Sequence, residues 1–451
     1  MKQSEAEEIL KMGYSALLTG PAGCGKTFLL NKYINYLKKK GVKIGITAST
    51  GLAATHLNGR TIHSWCRMGI NETMTDKEIE ILANNEQVWV RIKFTSTLII
   101  DEISMLNASR LDLVNRICQI IRQDLRPFGG LQVILCGDFF QLPPVAKKGE
   151  DGRFVTESEI WNKMDLKICY LDEQFRQADQ RFLQVLNSMR ENKVTREVQA
   201  ILQERLNQPV KAKIEPTKLY THNQNVDVHN FSQLAKLPDP QRVYEMRSTG
   251  VLHLINDLKK SCLAYETLPL KKDAVVMFIK NNFDKKYVNG TLGKVIGFDE
   301  DSGYPEVETI SGDRVVAMPE SWAIEDGGEI LASISQVPLR LAWAITVHKS
   351  QGMSLDCAEI DLSQTFEYGM GYVALSRVRS LQGIKLLGLN ELALKVNEKA
   401  IKLDKVLQKR AEKDFKEYNK ISKGQRKKRQ KSFLEANKKN NSENTIFGLP
   451  F

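Results

Sequence analysis

Residues 20–27 read GPAGCGKT. No other stretch narrows the fold as much. A glycine-rich loop of this kind holds phosphate only where it joins a buried strand to the first turn of a helix, so it fixes topology as well as chemistry. The flanks supply that setting. ALLTG (16–20) predicts a buried strand, and TFLLNKYINYLKKK (27–40) predicts a helix stopped by Gly41. Gly20, Gly23 and Gly25 let the backbone curl so that its N–H groups face phosphate oxygens. Lys26 is placed to reach the β- and γ-phosphates, and Thr27 to offer a hydroxyl to Mg²⁺.

Alternation around that unit extends the argument. KIGITAS (43–49), TLIID (97–101), LQVILCG (131–137) and KICYL (167–171) are short apolar runs suited to a parallel sheet buried on both faces. ASRLDLVNRICQIIRQ (108–123) has helical spacing through Leu111, Val114, Cys118 and Ile121. The first third therefore reads as a doubly wound α/β domain, residues 1–175. A small excursion near 66–92 interrupts the alternation. KLYTH (218–222) starts a second α/β unit, which resumes at VPLRLAWAITVHKSQG (337–352), CAEIDL (357–362), a helix to about Arg377 and IKLLG (384–388). This second unit is assigned to 176–240 and 331–400. Between its halves, VVMFI (275–279), TLGKVIGF (291–298) and PEVETI (305–310) meet turn signals at Asn289-Gly290 and Ser311-Gly312-Asp313. They predict a small β-barrel inserted at 241–330. Residues 401–451 are expected to begin helical and then lose structure.

Composition excludes several classes. No run is long and apolar enough to span a membrane, and the first fifteen residues lead straight into the first strand, with no sign of a targeting peptide. Seven scattered cysteines without a Cys-x-x-Cys pair fit buried free thiols in a reducing compartment. His56, His63 and Cys66 lack a fourth ligand nearby, so zinc is not expected. The net charge is +11, but residues 401–451 carry 15 Lys/Arg against 6 Asp/Glu, a balance of +9. The basic character is mostly a tail, which suits an electrostatic tether to nucleic-acid phosphates or a solvated end. The terminal TIFGLPF (445–451) is an apolar cluster that suits docking to a replication-protein partner.

Further segments carry chemistry. Asp101 and Glu102, in DEIS, end an apolar strand: Asp101 suits Mg²⁺, and Glu102 suits orienting and deprotonating a water. In GDFFQLPPV (137–145), Gln141 is placed to sense a γ-phosphate, and Pro143 and Pro144 make a stiff shelf for a base or sugar. TASTGLAATHLNGRTIHSW (47–65) mixes hydroxyls, glycines, His63 and Trp65, which suits phosphate contacts beside an aromatic stacking platform. A buried, structural Trp65 is the alternative. TVHKSQG (346–352) repeats this polar style in the second unit, suggesting two grips on one strand.

Together these segments resemble superfamily-one DNA helicases of the 5′→3′ branch, the group containing RecD, Dda and the Pif family. GPAGCGKT, TASTGLAA, DEISM, GDFFQLPPV, EQFRQ (173–177), TVHKSQGMSLD (346–356) and YVALSRVRS (372–380) occur in that family's order, and residues 109–145 are similar to the Pif-family signature. The resemblance covers residues 1 to about 395. It implies two RecA-like domains, a small wedge at 66–92 and an SH3-like barrel insertion. It implies an ATP-driven, Mg²⁺-dependent monomer that translocates 5′→3′ on single-stranded DNA and unwinds single-strand/duplex junctions. G-quadruplexes, forks and R-loops are all left open as targets. Gln3 matches the adenine-reading glutamine, and Gly352 falls in a nucleotide-linked motif. Arg176 and Arg377 match two arginines reaching the γ-phosphate. Thr50, His63, Thr346 and His348 match positions near the DNA backbone. The chain starts almost at Gln3, which favours a bacterial or phage-like cytoplasmic setting over nucleus or mitochondrion. A phosphate-loop kinase, an RNA motor and an inactive ATPase are the other readings; the kinase leaves TVHKSQG and ALSRVR unexplained.

Overall fold

The computed structural model describes residues 1–69, 71–141, 143–144, 153–177, 179–210, 214–221, 226–282, 287–326 and 329–442. Leu142, Val145, His222, Lys286 and the TIFGLPF segment lie outside the described residues.

Six short runs form the first sheet: β1 (Ala16–Thr19), β2 (Ile44–Ala48), β3 (Arg60–Thr61), β4 (Thr97–Asp101), β5 (Gln132–Cys136) and β6 (Lys167–Tyr170). All pair in parallel, in the order β3-β2-β4-β5-β1-β6. β1, β4 and β5 are buried at every position, as continuous apolar runs require when helices cover both faces. This order gathers the carboxyl ends of β1, β5 and β4, where an open α/β sheet presents its ligand crevice.

The second sheet is also parallel. Its order is Ala344–Thr346, Thr217–Tyr220, Ala358–Leu362, Ile384–Leu389. The helix Met370–Arg377 follows its third strand in sequence. A β-rich stretch separates Thr217–Tyr220 from the other strands of this sheet in sequence. The insertion holds a five-stranded antiparallel sheet: Arg314–Val316, Pro305–Thr309, Leu292–Phe298, Val275–Phe278, Leu339–Leu341. The boundary expected at 330 therefore falls early. It lies inside a hairpin of Glu320–Asp326 with Glu329–Gln336, and Leu339–Leu341 still belongs to the insertion. The excursion near 66–92 is a helical hairpin, Asp76–Ala83 and Glu86–Phe94, seated on the helix Ala108–Arg122 through Ile79, Val88 and Ile92.

The tail differs from expectation. Residues Glu398–Lys420 and Lys423–Ser442 are helical throughout. The first of them, expected to be helical, carries an amphipathic pattern under its charge; the second continues helical where loss of structure was expected. Leu407, Ala411, Asp414 and Tyr418, spaced i, i+4, i+7, i+11, are buried on one face. That face covers β6, the sheet's edge strand, where Asp414 Oδ2 accepts the Ile168 N–H at 2.8 Å. Glu8, in the first helix, accepts from Tyr418 and Arg426. Lys402, Lys405, Lys409, Lys413, Lys416 and Lys420 form an exposed stripe on the opposite face.

Candidate functional site

The phosphate loop leaves β1 and enters the helix Lys26–Lys39, with Gly25 at its N-cap. Gly20, Gly23 and Gly25 have φ of +141°, +86° and +80°, values that side chains strongly disfavour. Lys26 Nζ lies within the loop, donating to the Gly20 and Pro21 carbonyls at 2.8 and 3.1 Å. Burial pulls its pKa down, but Cys24, Asp138, Cys136 and Tyr372 around it hold it up at about 12. Gln3 reaches the loop's outer side, donating to the Cys24 carbonyl at 3.2 Å. Phe175, 62% exposed, stands beside Gln3 and Gly25. An exposed ring beside the phosphate loop offers a face on which an aromatic base can stack. Phe175 went unread in the sequence, although it sits inside EQFRQ.

Asp101 closes β4 and accepts the Glu102 N–H at 2.8 Å. Glu102 takes the left-handed conformation, φ +50°, which turns its side chain out of the strand line. Its carboxylate accepts from Gln351 at 3.0 Å, and the same Gln351 amide donates to Gln141 Oε1 at 3.1 Å. Gln351 belongs to TVHKSQG in the second lobe, so one side chain joins both first-lobe groups across the cleft. Burial, then the Asp101 charge, raise the Glu102 pKa to about 7 against the opposing charges of Lys26 and Arg377. Burial likewise raises Asp101. Gly352, assigned to the nucleotide from sequence, lies beside His56, which contacts Asn289 at 3.0 Å. Its neighbour Gln351 is the residue in contact with the site.

Arg176 and Arg377 lie close together. Arg176 donates to the Ser376 carbonyl at 3.0 Å. Arg377, 2% exposed, donates to the Val373 carbonyl and the Ser376 hydroxyl. Among the described residues neither has a salt bridge. Burial, then the neighbouring Arg377, push Arg176 down to about 9, and burial also lowers Arg377. A buried and a half-buried guanidinium close together, with Lys26 near Glu102, make a pocket that favours anions.

The residues assigned to DNA are less uniform. His63 lines a groove of about 860 Å³ with Arg60, Arg67, Arg91, Arg110 and His253, between the helical hairpin and the inserted unit's helix Leu252–Ser261. Burial, then the Arg110 charge, push His63 down to about 4, so it is neutral at physiological pH. His348 is exposed. Thr50 and Thr346 hydroxyls accept the N–H groups of Ala53 and Lys349. Pro143 is half-buried and Pro144 buried. Trp65 is a correction. It is 2% exposed, its ring packs on Gly45 of β2, and it presents no face for a base to stack on. Ile62, Trp65 and Cys66 form the inward face of a short helix, and that spacing was the available signal.

The donor set fits Mg²⁺ and a nucleoside triphosphate. Thr27 is exposed at the helix start and Asp101 closes a neighbouring strand end; a hydroxyl and a carboxylate are hard oxygen ligands of the kind Mg²⁺ takes together with phosphates and water.

Residues 5–209 match the family model described as PIF1-like helicase. The chain is 45% identical over 457 residues to an ATP-dependent DNA helicase Pif1 from Psychrobacter, a match that covers 88% of this chain and 69% of that relative. It is similar to the crystal structure of Bacteroides sp Pif1 in complex with ADP-AlF4, at 29% identity and a TM-score of 0.75, covering 90% of this chain and 96% of the other. A Bacteroides Pif1 structure in complex with ADP-AlF3 and single-stranded DNA matches at 29% identity and a TM-score of 0.59, over 90% and 96% of the two chains.

Proposed function

The chain belongs to the PIF1-like helicase family, and on that footing we propose that it is an ATP-hydrolysing DNA helicase that moves 5′→3′ along single-stranded DNA. One observation carries the chemistry: the buried Arg377 and the half-buried Arg176, neither with a salt bridge among the described residues, lie beside the phosphate loop and the half-buried Glu102 of the first lobe. Such a cleft is complete only when the lobes meet around an anion. Glu102, ionised, orients and deprotonates the attacking water. Lys26, Arg176 and Arg377 stabilise charge that grows on the transferred phosphoryl group. Thr27 and Asp101 would hold Mg²⁺, which neutralises phosphate charge when bound. Gln3 and Phe175 take the adenine. Gln141 and Gln351 report the γ-phosphate to both lobes, and TVHKSQG carries that report to Thr346 and His348.

His63 and its arginine-lined groove, with Thr50 and the Pro143–Pro144 shelf, form the first-lobe grip on the strand. The helical hairpin at 76–94 is the wedge at a single-strand/duplex junction, and the inserted sheet is the SH3-like unit. The enzyme acts as a monomer on forks and structured DNA, G-quadruplexes included, in replication, recombination or repair. The exposed lysine stripe of Glu398–Lys420 is an auxiliary contact to phosphates. Seven buried free cysteines favour a reducing, cytoplasmic setting. Strand displacement on 5′-tailed and 3′-tailed duplexes tests the reading. ATP-dependent release from the 5′-tailed substrate is expected. Release only from the 3′-tailed one, or without ATP, would refute it.

A further inference from the structure

A buried polar cluster joins the two lobes against the back of the phosphate loop. Asp138, 1% exposed, follows β5, and Arg190, 7% exposed, ends the helix Gln180–Arg190. Arg190 Nη1 donates to both Asp138 oxygens at 2.9 Å and to the Tyr372 hydroxyl at 3.0 Å. That hydroxyl donates to Asp138 Oδ2 at 3.3 Å and accepts the Ala22 N–H of the phosphate loop at 3.1 Å. A phenol has one donor and two acceptor positions, and all three are used. The Arg190 guanidinium lies 4.0 Å over the Phe140 ring, next to Gln141. Beyond it, Tyr170 and Asp404 of the C-terminal helix close the cluster.

Three parts of the ATP site thus share one anchor. Ala22 is in the phosphate loop, Asp138 and Phe140 hold the Gln141 loop, and Tyr372 shares an eight-residue helix with Arg377. The helix start is fitted tightly to that loop. Gly369, φ +83°, would place a Cβ 2.7 Å from the Phe140 carbonyl oxygen, so only glycine allows the approach. A shift of this helix moves Arg377 relative to the loop.

We propose that Tyr372, Asp138 and Arg190 form an inter-lobe latch in which Tyr372 is a positioning residue, setting Arg377 against the phosphate loop so that turnover rather than ATP binding depends on its hydroxyl. The inference rests on the reading of Arg377 as a transition-state arginine.

Tyr372→Phe keeps the ring and leaves the Asp138–Arg190 pair intact, so the fold is retained. In the full chain, DNA-stimulated kcat falls about 10- to 100-fold, the scale of a misplacement near 1 Å. KM for ATP moves less than about threefold, because Arg377 acts on the transition state. Adding Tyr372→Phe to Arg377→Ala costs nothing further, since the latch acts through that arginine. Tyr33→Phe is the control: Tyr33 is a buried phenol donating to the Leu10 carbonyl at 2.9 Å, away from the cluster. It lowers the melting temperature and leaves kcat unchanged. Normal turnover in Arg377→Ala alone would refute the site reading, and with it the latch. Slow Arg377→Ala with normal Tyr372→Phe would overturn the latch alone, as would a Tyr372→Phe loss that multiplies fully onto Arg377→Ala.

Discussion

Replacing Gln351 with alanine should move the acid limb of the pH–rate profile upward. Glu102 must be ionised to act as a base, so turnover is lost as pH falls through its folded pKa. Burial and Asp101 raise that pKa to about 7; Lys26, Arg377 and the Gln351 hydrogen bond oppose them. A hydrogen bond to a charged group is worth about 1.5–3 kcal/mol, and 1.36 kcal/mol corresponds to one pKa unit, which gives about 1–2 units at most. Gln351 is the smallest of the opposing influences, so the lower end applies. A limb near 8 leaves about a tenth of Glu102 ionised at pH 7 against about half before, a roughly fivefold loss that vanishes by pH 9. The assay is DNA-stimulated kcat/KM across pH 5.5–9.5, which reports the free enzyme. A loss equal at every pH, with the limb unmoved, would show that Gln351 only braces the lobes and would refute the electrostatic argument.

Lys26→Ala abolishes ATP turnover and unwinding but leaves nucleotide-free DNA affinity intact, measured by fluorescence anisotropy; unwinding near the parent rate would remove the phosphate-loop assignment. Trp65→Ala destabilises by about 3–5 kcal/mol in denaturant titration, as for a large buried aromatic, with unchanged DNA affinity of the folded fraction; weaker binding without destabilisation would restore the stacking role. Changing the six stripe lysines from Lys402 to Lys420 to glutamine flattens the salt dependence of DNA affinity without lowering the melting temperature. Ending the chain near residue 400 lowers the melting temperature as well, because β6 loses its Asp414 cap; an unchanged melting temperature would mean that the helix lies on the first lobe without supporting it.

The two α/β lobes were legible because strands buried on both faces read as continuous apolar runs, and the loop at 20–27 fixes the chemistry locally. Lys26, Asp101 and Glu102 were singled out from short segments whose residue types suit their chemistry, whereas the roles given to Arg176 and Arg377 came from the family resemblance. Gln351 and Tyr372 lie in segments that were read, yet their partners Glu102 and Ala22 stand 249 and 350 residues away. No local spacing encodes such a contact; only lobe packing creates it. Trp65 failed for a different reason. Hydroxyls and glycines around it suggested an exposed binding segment, while its helical partners Ile62 and Cys66 already marked an inward face. The tail departed from expectation only beyond Lys420, where a second helix runs to Ser442 in place of the expected loss of structure. A balance of +9 over fifty-one residues counts charges without saying which way they point. The lysines fall on one side of a helix whose other side carries Leu407, Ala411, Asp414 and Tyr418. Like charges on one face do not prevent folding when the opposite face buries apolar surface and caps a sheet edge. Those lysines form a row on a helix packed on the first lobe, and that helix reaches through Asp404 to Arg190 and Tyr170. A segment outside the motif-bearing region is thereby joined to the cluster behind the ATP site.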